Sequence, residues 1–292
     1  MYFSSKWKKH ISQSAWSVVR LVIILGLCYV ILYPFFIKIV NGFKDYMDFL
    51  DPTVRFIPKH FTTTNVRRVI ERMDYVETFR NTALLSIGTA LLTTFISSFI
   101  AYGFARYKFK GNGLLFFCVI FTLIVPPQTV IIPLFLRFRF FAGFLNLLDT
   151  PFPVLILALT GLNLKNGLYI FLLRQFYRNM PKELEEAAYL DGCGAFNTYF
   201  RIMLPSAKTM LITVFLLSMA WGWTDTVYNP LFFPNVQLFD NMVPLVGSGE
   251  VPIMSANMTN LAALLSIAPL ALIYFVAQNF FVQSIERAGI VG

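Results

Sequence analysis

Apolar and polar positions fall in blocks along this chain. Long uncharged runs are separated by short stretches that carry nearly all the Lys, Arg, Asp and Glu. A helix crossing a bilayer needs about 20 predominantly apolar residues. Leu21–Ile37, extended to Val40 past Lys38, meets that length, as do Asn81–Ala105, Gly111–Leu136 and Thr150–Leu173. Thr209–Thr224 is expected to continue as a bent segment past Asp225, and Leu261–Val282 is the core of an uncharged run from Val251 to Ile285. The pattern predicts an all-α membrane protein with six transmembrane helices, over about 17–41, 81–105, 111–136, 150–175, 206–230 and 259–284. Pro126-Pro127 should break or kink the third near its far end, because proline removes a backbone donor and clashes with the preceding turn.

Composition agrees with this reading. Only 13% of the 292 residues are charged and 57% are hydrophobic, against about 25% charged in a soluble domain. The net charge of +9 belongs to residues flanking the runs, and no basic patch with interleaved aromatics suggests nucleic acid. Cys28, Cys118 and Cys193 show neither disulfide nor metal spacing. The basic start (Lys6, Lys8, Lys9) leads into an apolar run without a small-residue cleavage site, so residues 1–15 read as a cytoplasmic N-terminus before a retained first span. Residues 16–292 read as a single transmembrane domain.

The short flanks orient the bundle. Arg20; Arg106, Lys108 and Lys110; Arg174, Arg178, Lys182, Arg201 and Lys208; and Arg287 all fall on one side of a six-span chain. The excess of Lys and Arg makes that side cytoplasmic, with both termini on it. The 42–80 segment is too polar to span, and Thr62-Thr63-Thr64-Asn65 reads as the start of a short external helix over Val66–Met73.

One cytoplasmic segment, 181–205, is conspicuously polar. Pro181 precedes Glu183, Glu185 and Glu186, acids suited to a first helical turn. Ala187 and Ala188 are small helix formers that would let a partner surface approach. Asp191-Gly192 with Gly194 ends the helix and turns the chain. Phe196, Tyr199, Phe200 and Ile202 then resume an apolar face before Leu204-Pro205. On this pattern alone, an ordinary interfacial loop and a docking element are equally open.

Glu186-Ala187-Ala188, Asp191-Gly192, Ile202 and Leu204-Pro205, at that spacing, resemble the EAA loop of permease subunits in binding-protein-dependent ABC importers. Cys193 departs from the Ala common there. Asn81-Thr82, Ala101-Tyr102 with Ala105-Arg106, Pro126-Pro127-Gln128, Leu173-Arg174-Gln175-Phe176, Trp221, Trp223, Asp225, Pro230 and the tail Phe281–Gly292 resemble the carbohydrate branch, and in particular its smaller maltose-type permease subunit. The resemblance implies a type I importer permease fold in a bacterial cell membrane. It implies a second permease subunit as heterodimer partner, two ATP-binding subunits, one of which takes this loop in a groove, an external solute-binding protein and a carbohydrate cargo. A polyol or glycerol 3-phosphate is the alternative cargo. ATP would be bound by the partner, since this chain has no phosphate-cradling Gly-Lys-Ser/Thr motif. A secondary transporter or channel is the competing class. A membrane enzyme finds no support in a metal-spaced His cluster or nucleophile motif, as His10 and His60 are the only histidines.

A substrate path is expected near the charge in the fourth run. An intramembrane charge usually faces a cavity or a protein partner, and Asn163 and Asn166 flank Lys165. A helix shifted so that Lys165 snorkels is the other reading. Trp223 and Asp225 are further candidates. Trp221, Trp223 and Tyr228 also read as interface anchors, with stacking on a sugar as the second possibility. By resemblance, Gly247, Ser248, Gly249 and Glu250 correspond to the external loop that enters the binding protein's cleft. No catalytic, metal or cofactor residues are expected.

Overall fold

The computed structural model describes the backbone of residues 3–289 and the side chains of residues 16–280. The side chains of Lys6, Lys8, Lys9 and His10, and those of the tail Phe281–Gly292 with Arg287, lie outside the described residues. Two isolated bridges are the only strand-like pairing among the described residues; everything else is helix and connection. The chain divides into two compact units, residues 1–72 with 246–265, and residues 73–245 with 266–292.

In the first unit, α1 (Phe3–Gly42) is a continuous helix whose residues 16–36 are exposed. After it come α2 (Tyr46–Leu50) and α3 (Thr64–Arg72). The Thr62 hydroxyl accepts the Thr64 N–H at 3.1 Å, so the threonine run starts α3 two residues before the expected Val66. Buried polar groups tie this segment together. Lys44 donates to the Val54 and Arg55 carbonyls at 3.1 and 3.0 Å, and Asn65 donates to the Lys44 carbonyl at 2.8 Å. Asp48 accepts the His60 N–H at 3.0 Å and pairs with its imidazole Nδ1 at 2.8 Å.

In the second unit, α4 (Tyr75–Arg106) is the central helix. Its buried face includes Thr82, Ser86, Ala90, Thr93, Ser97 and Ala101, at spacings of three and four residues. This stripe of small side chains lets neighbouring helices approach closely, which is how membrane helices associate where lipid supplies no hydrophobic drive. The third run is broken into α5 (Asn112–Phe121), a 3-10 turn at Pro127–Val130 and α6 (Ile131–Arg139), as the proline pair requires.

The fourth run departs from the continuous helix expected. It consists of α7 (Phe152–Leu159) and α8 (Asn166–Asn179). Between them Gly161 and Lys165 take left-handed conformations, φ 71° and 60°. Asn163 accepts the N–H of Leu164 with its own side chain, which offers the backbone an alternative to helix. Hydropathy is blind to this interruption.

The polar segment forms α9 (Glu183–Leu190), α10 (Ala195–Thr198), a π-helical turn at Tyr199–Met203 and α11 (Leu204–Ser206). The chain then bends by 78° into α12 (Lys208–Trp223). Asp225 does not continue that helix. Its carboxylate accepts the N–H groups of Val227 and Tyr228, each at 2.9 Å, at the start of α13 (Tyr228–Phe232). Next come α14 (Phe239–Met242) and α15 (Pro252–Gly289), which belongs in part to each unit. The core of the second unit joins Ala101 and Tyr102 of α4, Tyr169, Leu173 and Tyr177 of α8, Tyr199 and Met203 of the π turn, and Met210 and Val214 of α12. By length and composition Trp16–Gly42, Tyr75–Arg106 and Pro252–Phe280 can each cross a membrane, and the bent pair Ala195–Ser206 with Lys208–Trp223 makes a fourth if it is one span.

Candidate functional site

The short helix α9 is closed at its end by local chemistry. The Gly192 N–H donates to the Tyr189 carbonyl at 3.1 Å and the Cys193 N–H to the Ala188 carbonyl at 2.9 Å. This is a Schellman closure, and it needs a left-handed residue, supplied by Gly192 at φ 80°. Three acids, Glu183, Glu185 and Glu186, occupy the first turn, where unpaired N–H groups favour negative charge.

What holds α9 in place is tertiary. Ala188 is 2% exposed, so its small side chain faces the chain's own interior. Glu185 points to the end of α4. It accepts the Tyr102 hydroxyl at 2.7 Å and pairs with Arg106 at 3.3 Å, with the two charged side chains only 12% and 6% exposed. Arg106 also donates to the Met180 carbonyl at 2.8 Å. Deeper still, Ser98 bridges the hydroxyls of Tyr177 and Tyr199 at 2.7 and 2.9 Å, linking α4, α8 and the π turn. Removing one member of this pair would leave an uncompensated buried charge, at a cost of about 3–5 kcal/mol; the hydrogen bonds from Tyr102 and Arg106 tie α9 and its approach to the end of α4. Its other side is open. Glu186, Ala187, Tyr189 and Asp191 are exposed, and Leu190 is 89% exposed. Phe196 and Phe200 add apolar surface beyond the turn. Ile202 and Leu204 are half-buried and Pro205 is exposed at the start of α11, just before the 78° bend.

The residues Glu186, Ala187, Asp191 and Gly192 therefore lie on one accessible element, whereas Ala188 packs inward. Glu185, Tyr102 and Arg106 escaped the sequence reading as a group. Glu185 looked like one of three first-turn acids and Arg106 like a flanking charge. Only the pairing of opposite charges near adjacent helix ends hinted at their contact.

A second constellation surrounds the α7–α8 break. A cavity of about 390 Å³ is walled by the proline-broken third run, the 161–167 turn and Tyr228. The Lys165 ammonium lies 5.0 Å from the Trp221 ring centroid, and the described residues give it no ion pair. Asn163 and Asn166 are already engaged. Asn163 donates to Thr93 at 2.9 Å; Asn166 donates to the Gly161 carbonyl at 2.9 Å and accepts from Ser97 at 3.0 Å. Asp225 and Trp221 line a small adjoining cavity with Asn163. Trp223 lines neither cavity. It is 2% exposed, donates to the Ser266 carbonyl at 2.9 Å and packs against Phe79 and Phe239. Its place is in helix packing.

In the first unit, the 247–250 turn is held by Arg72, which donates to the Val246 carbonyl at 2.8 Å and pairs with Glu250 at 2.6 Å. Gly247 is buried, and a Cβ there would lie 2.6 Å from the Ser255 carbonyl oxygen, so close backbone approach requires glycine. Ser248 and Gly249 form the exposed tip.

This architecture, a helical membrane subunit that presents a short anchored helix between two apolar segments, has a family. The chain belongs to the binding-protein-dependent transport system inner membrane components, whose model matches residues 77–287. It is 26% identical over 260 residues to the melibiose/raffinose/stachyose import permease protein MelC of Bacillus subtilis, covering 89% of this chain and 91% of that protein. It is 27% identical over 218 residues to the arabinooligosaccharides transport system permease protein AraQ of the same organism, covering 75% and 74%. In fold it is similar to a chain of a bacterial ABC transporter involved in the import of the acidic polysaccharide alginate, with TM-score 0.71, 21% identity and coverage of 92% and 98%.

Proposed function

We propose that this protein is one permease subunit of an ABC importer that moves a sugar or oligosaccharide across a bacterial cell membrane. The observation that carries the reading is the accessible face of α9, rigidly backed by the Glu185–Arg106–Tyr102 contact. A lever needs both features: a surface that a partner can grip, and a fixed link to the elements it moves. Oligosaccharide import by the relatives supports the cargo.

In this reading the chain crosses the membrane six times, counting the broken 111–136 and 150–175 segments as crossings, and both termini are cytoplasmic. A second permease subunit completes the pathway, one of two ATP-binding subunits grips Glu186, Ala187, Asp191 and Gly192, and a solute-binding protein delivers cargo outside. Closure of the ATP-binding subunits moves α9. Ile202, Leu204 and Pro205 carry the motion through the bend into α12. The exposed tip at Ser248 and Gly249, held by Gly247 and Glu250, faces the binding protein.

Cargo passes the cavity beside Lys165, with Trp221, of the three aromatic candidates, placed to stack on it, and with Asn163, Asn166 and Asp225 shaping the wall. A phosphorylated polyol is the second reading, favoured by the one observation that Lys165 offers a cation without an ion-pair partner among the described residues. The test is ATP hydrolysis by the reconstituted complex with its binding protein, across a panel of oligosaccharides and glycerol 3-phosphate. Stimulation by oligosaccharides is expected. Failure of any ATP-binding subunit to copurify would sink the importer reading, and Lys165→Met with unchanged uptake affinity would remove Lys165 from the path.

A further inference from the structure

Beside α9 lies a cavity of about 780 Å³, bounded by the end of α4, the start of α5 and the last turns of α8. Five cations line it, Arg106, Lys108, Arg174, Arg178 and Lys182, against two carboxylates, Glu185 and Glu186. Glu185 is taken by Arg106 and Tyr102. Lys108, Arg174, Arg178 and Lys182 have no ion pair among the described residues. Arg174 and Arg178 sit one turn apart on α8, an unfavourable spacing for like charges unless an anion lies between them. The Arg106 Nε is buried and, although 3.3 Å from the Glu185 carboxylate, is not aimed at it and has no hydrogen-bond acceptor.

Phe104, Tyr107, Phe109 and Tyr189 make the wall of this cavity aromatic. Behind it lies Phe116 of α5, whose ring centroid is 5.7 Å from that of Phe104 and 3.8 Å from the Arg174 guanidinium. From there α5 runs on without a single buried residue, and Leu114, Leu115, Phe117 and Phe121 are exposed along it. Cations alone would suit any phosphate. Cations at the foot of an apolar stripe suit a phosphate that carries acyl chains.

We propose that this cavity binds the headgroup phosphate of an anionic phospholipid, whose acyl chains lie along α5. The site rests on the importer reading only in placing that phosphate in the cytoplasmic leaflet. Because Glu185, Glu186 and Tyr189 of α9 share the cavity, the headgroup touches the coupling helix itself.

Native mass spectrometry of the full transporter complex, equilibrated with phosphatidylglycerol, phosphatidylcholine or inorganic phosphate, tests this. Wild type is expected to retain phosphatidylglycerol over phosphatidylcholine. The variant K108Q/R178Q, which alters two exposed cations, should lower that retention about twenty-fivefold, at about fivefold per cation. The variant K108R/R178K should keep it. Equal retention by wild type and K108Q/R178Q overturns the proposal. So does binding of inorganic phosphate with no retained phosphatidylglycerol, which would identify a soluble-anion site. Loss of the second permease subunit from K108Q/R178Q, with lipid still retained, would assign the face to that subunit instead. Stimulation of ATP hydrolysis by the binding protein, measured on the same preparation, tests the importer reading separately: stimulation intact without lipid selectivity sinks this site alone.

Discussion

Ala188 and Ala187 are neighbours with opposite jobs. Ala188 faces inward at 2% exposure, and Ala187 is exposed. Substituting Ala188 by Leu overpacks a closed site and should cost about 1–3 kcal/mol, read as a lower melting temperature of the complex. Ala188→Arg buries a charge and should fail in assembly before coupling can be measured. Ala187→Arg is the cleaner test of docking: the melting temperature should hold while binding-protein-stimulated ATP hydrolysis falls. Full stimulation in Ala187→Arg would remove this face from the coupling surface. Asp48 carries a different prediction. Burial acts to raise its pKa, but the His60 N–H, imidazole and charge outweigh it, so the carboxyl titrates below the usual range. A lowered folded value means that its stabilisation is fully present above about pH 4, the unfolded carboxylate value, and is lost as pH falls through the folded value. Hydrogen exchange at the His60 amide should accelerate on acidification in that window. Asp48→Asn should abolish the dependence, and a dependence that survives the substitution would refute it.

Among the elements, α9 shows how short-range and long-range causes divide. The acids that start it and the Gly192 closure that ends it are local. Any other residue at φ 80° pays the left-handed penalty, about 1–2 kcal/mol, so Gly192→Val should loosen the α9–α10 turn and Gly192→Asn should loosen it less. Faster exchange of the Cys193 amide, with assembly retained, is the expected signature. The α7–α8 break divides the other way. Gly161 and Asn163 carry weak turn signals, yet the interruption persists because Thr93, Ser97 and the Gly161 carbonyl satisfy the asparagines on either side of Lys165. The α4 stripe of Ser, Thr and Ala was visible as residues but not as a packing face, since a hydropathy average treats it as merely less apolar.

For the whole molecule, the proposed topology makes a testable division of surfaces. Asp191 on the α9–α10 turn and Asn235 in the connection between α13 and α14 should lie on opposite sides of the membrane. In a background with Cys28, Cys118 and Cys193 replaced, a membrane-impermeant maleimide applied to intact cells should label Asn235→Cys and spare Asp191→Cys. Labelling of both from outside would overturn the orientation. The family match over residues 77–287 and the anchored helix α9 speak for a subunit that works only within a larger assembly.

The chain alone determined its class, its apolar runs, the broken third run and the polar segment between the fourth and fifth, because each depends on local composition: few charges, a proline pair, first-turn acids, a glycine stop. It determined the family too, because Glu186 to Pro205 is a spacing pattern read along the chain. Only the tertiary structure decided that Ala188 packs inward, that Trp223 belongs to helix packing while Trp221 meets Lys165, and that Asn163 and Asn166 spend their amides within the chain. Only it brought Arg106, Arg174, Arg178 and Lys182 around one cavity. Those outcomes depend on which helix faces which, and residues as far apart in sequence as Ser98 and Tyr199, 101 positions, meet only when small side chains on α4 let its neighbours close in.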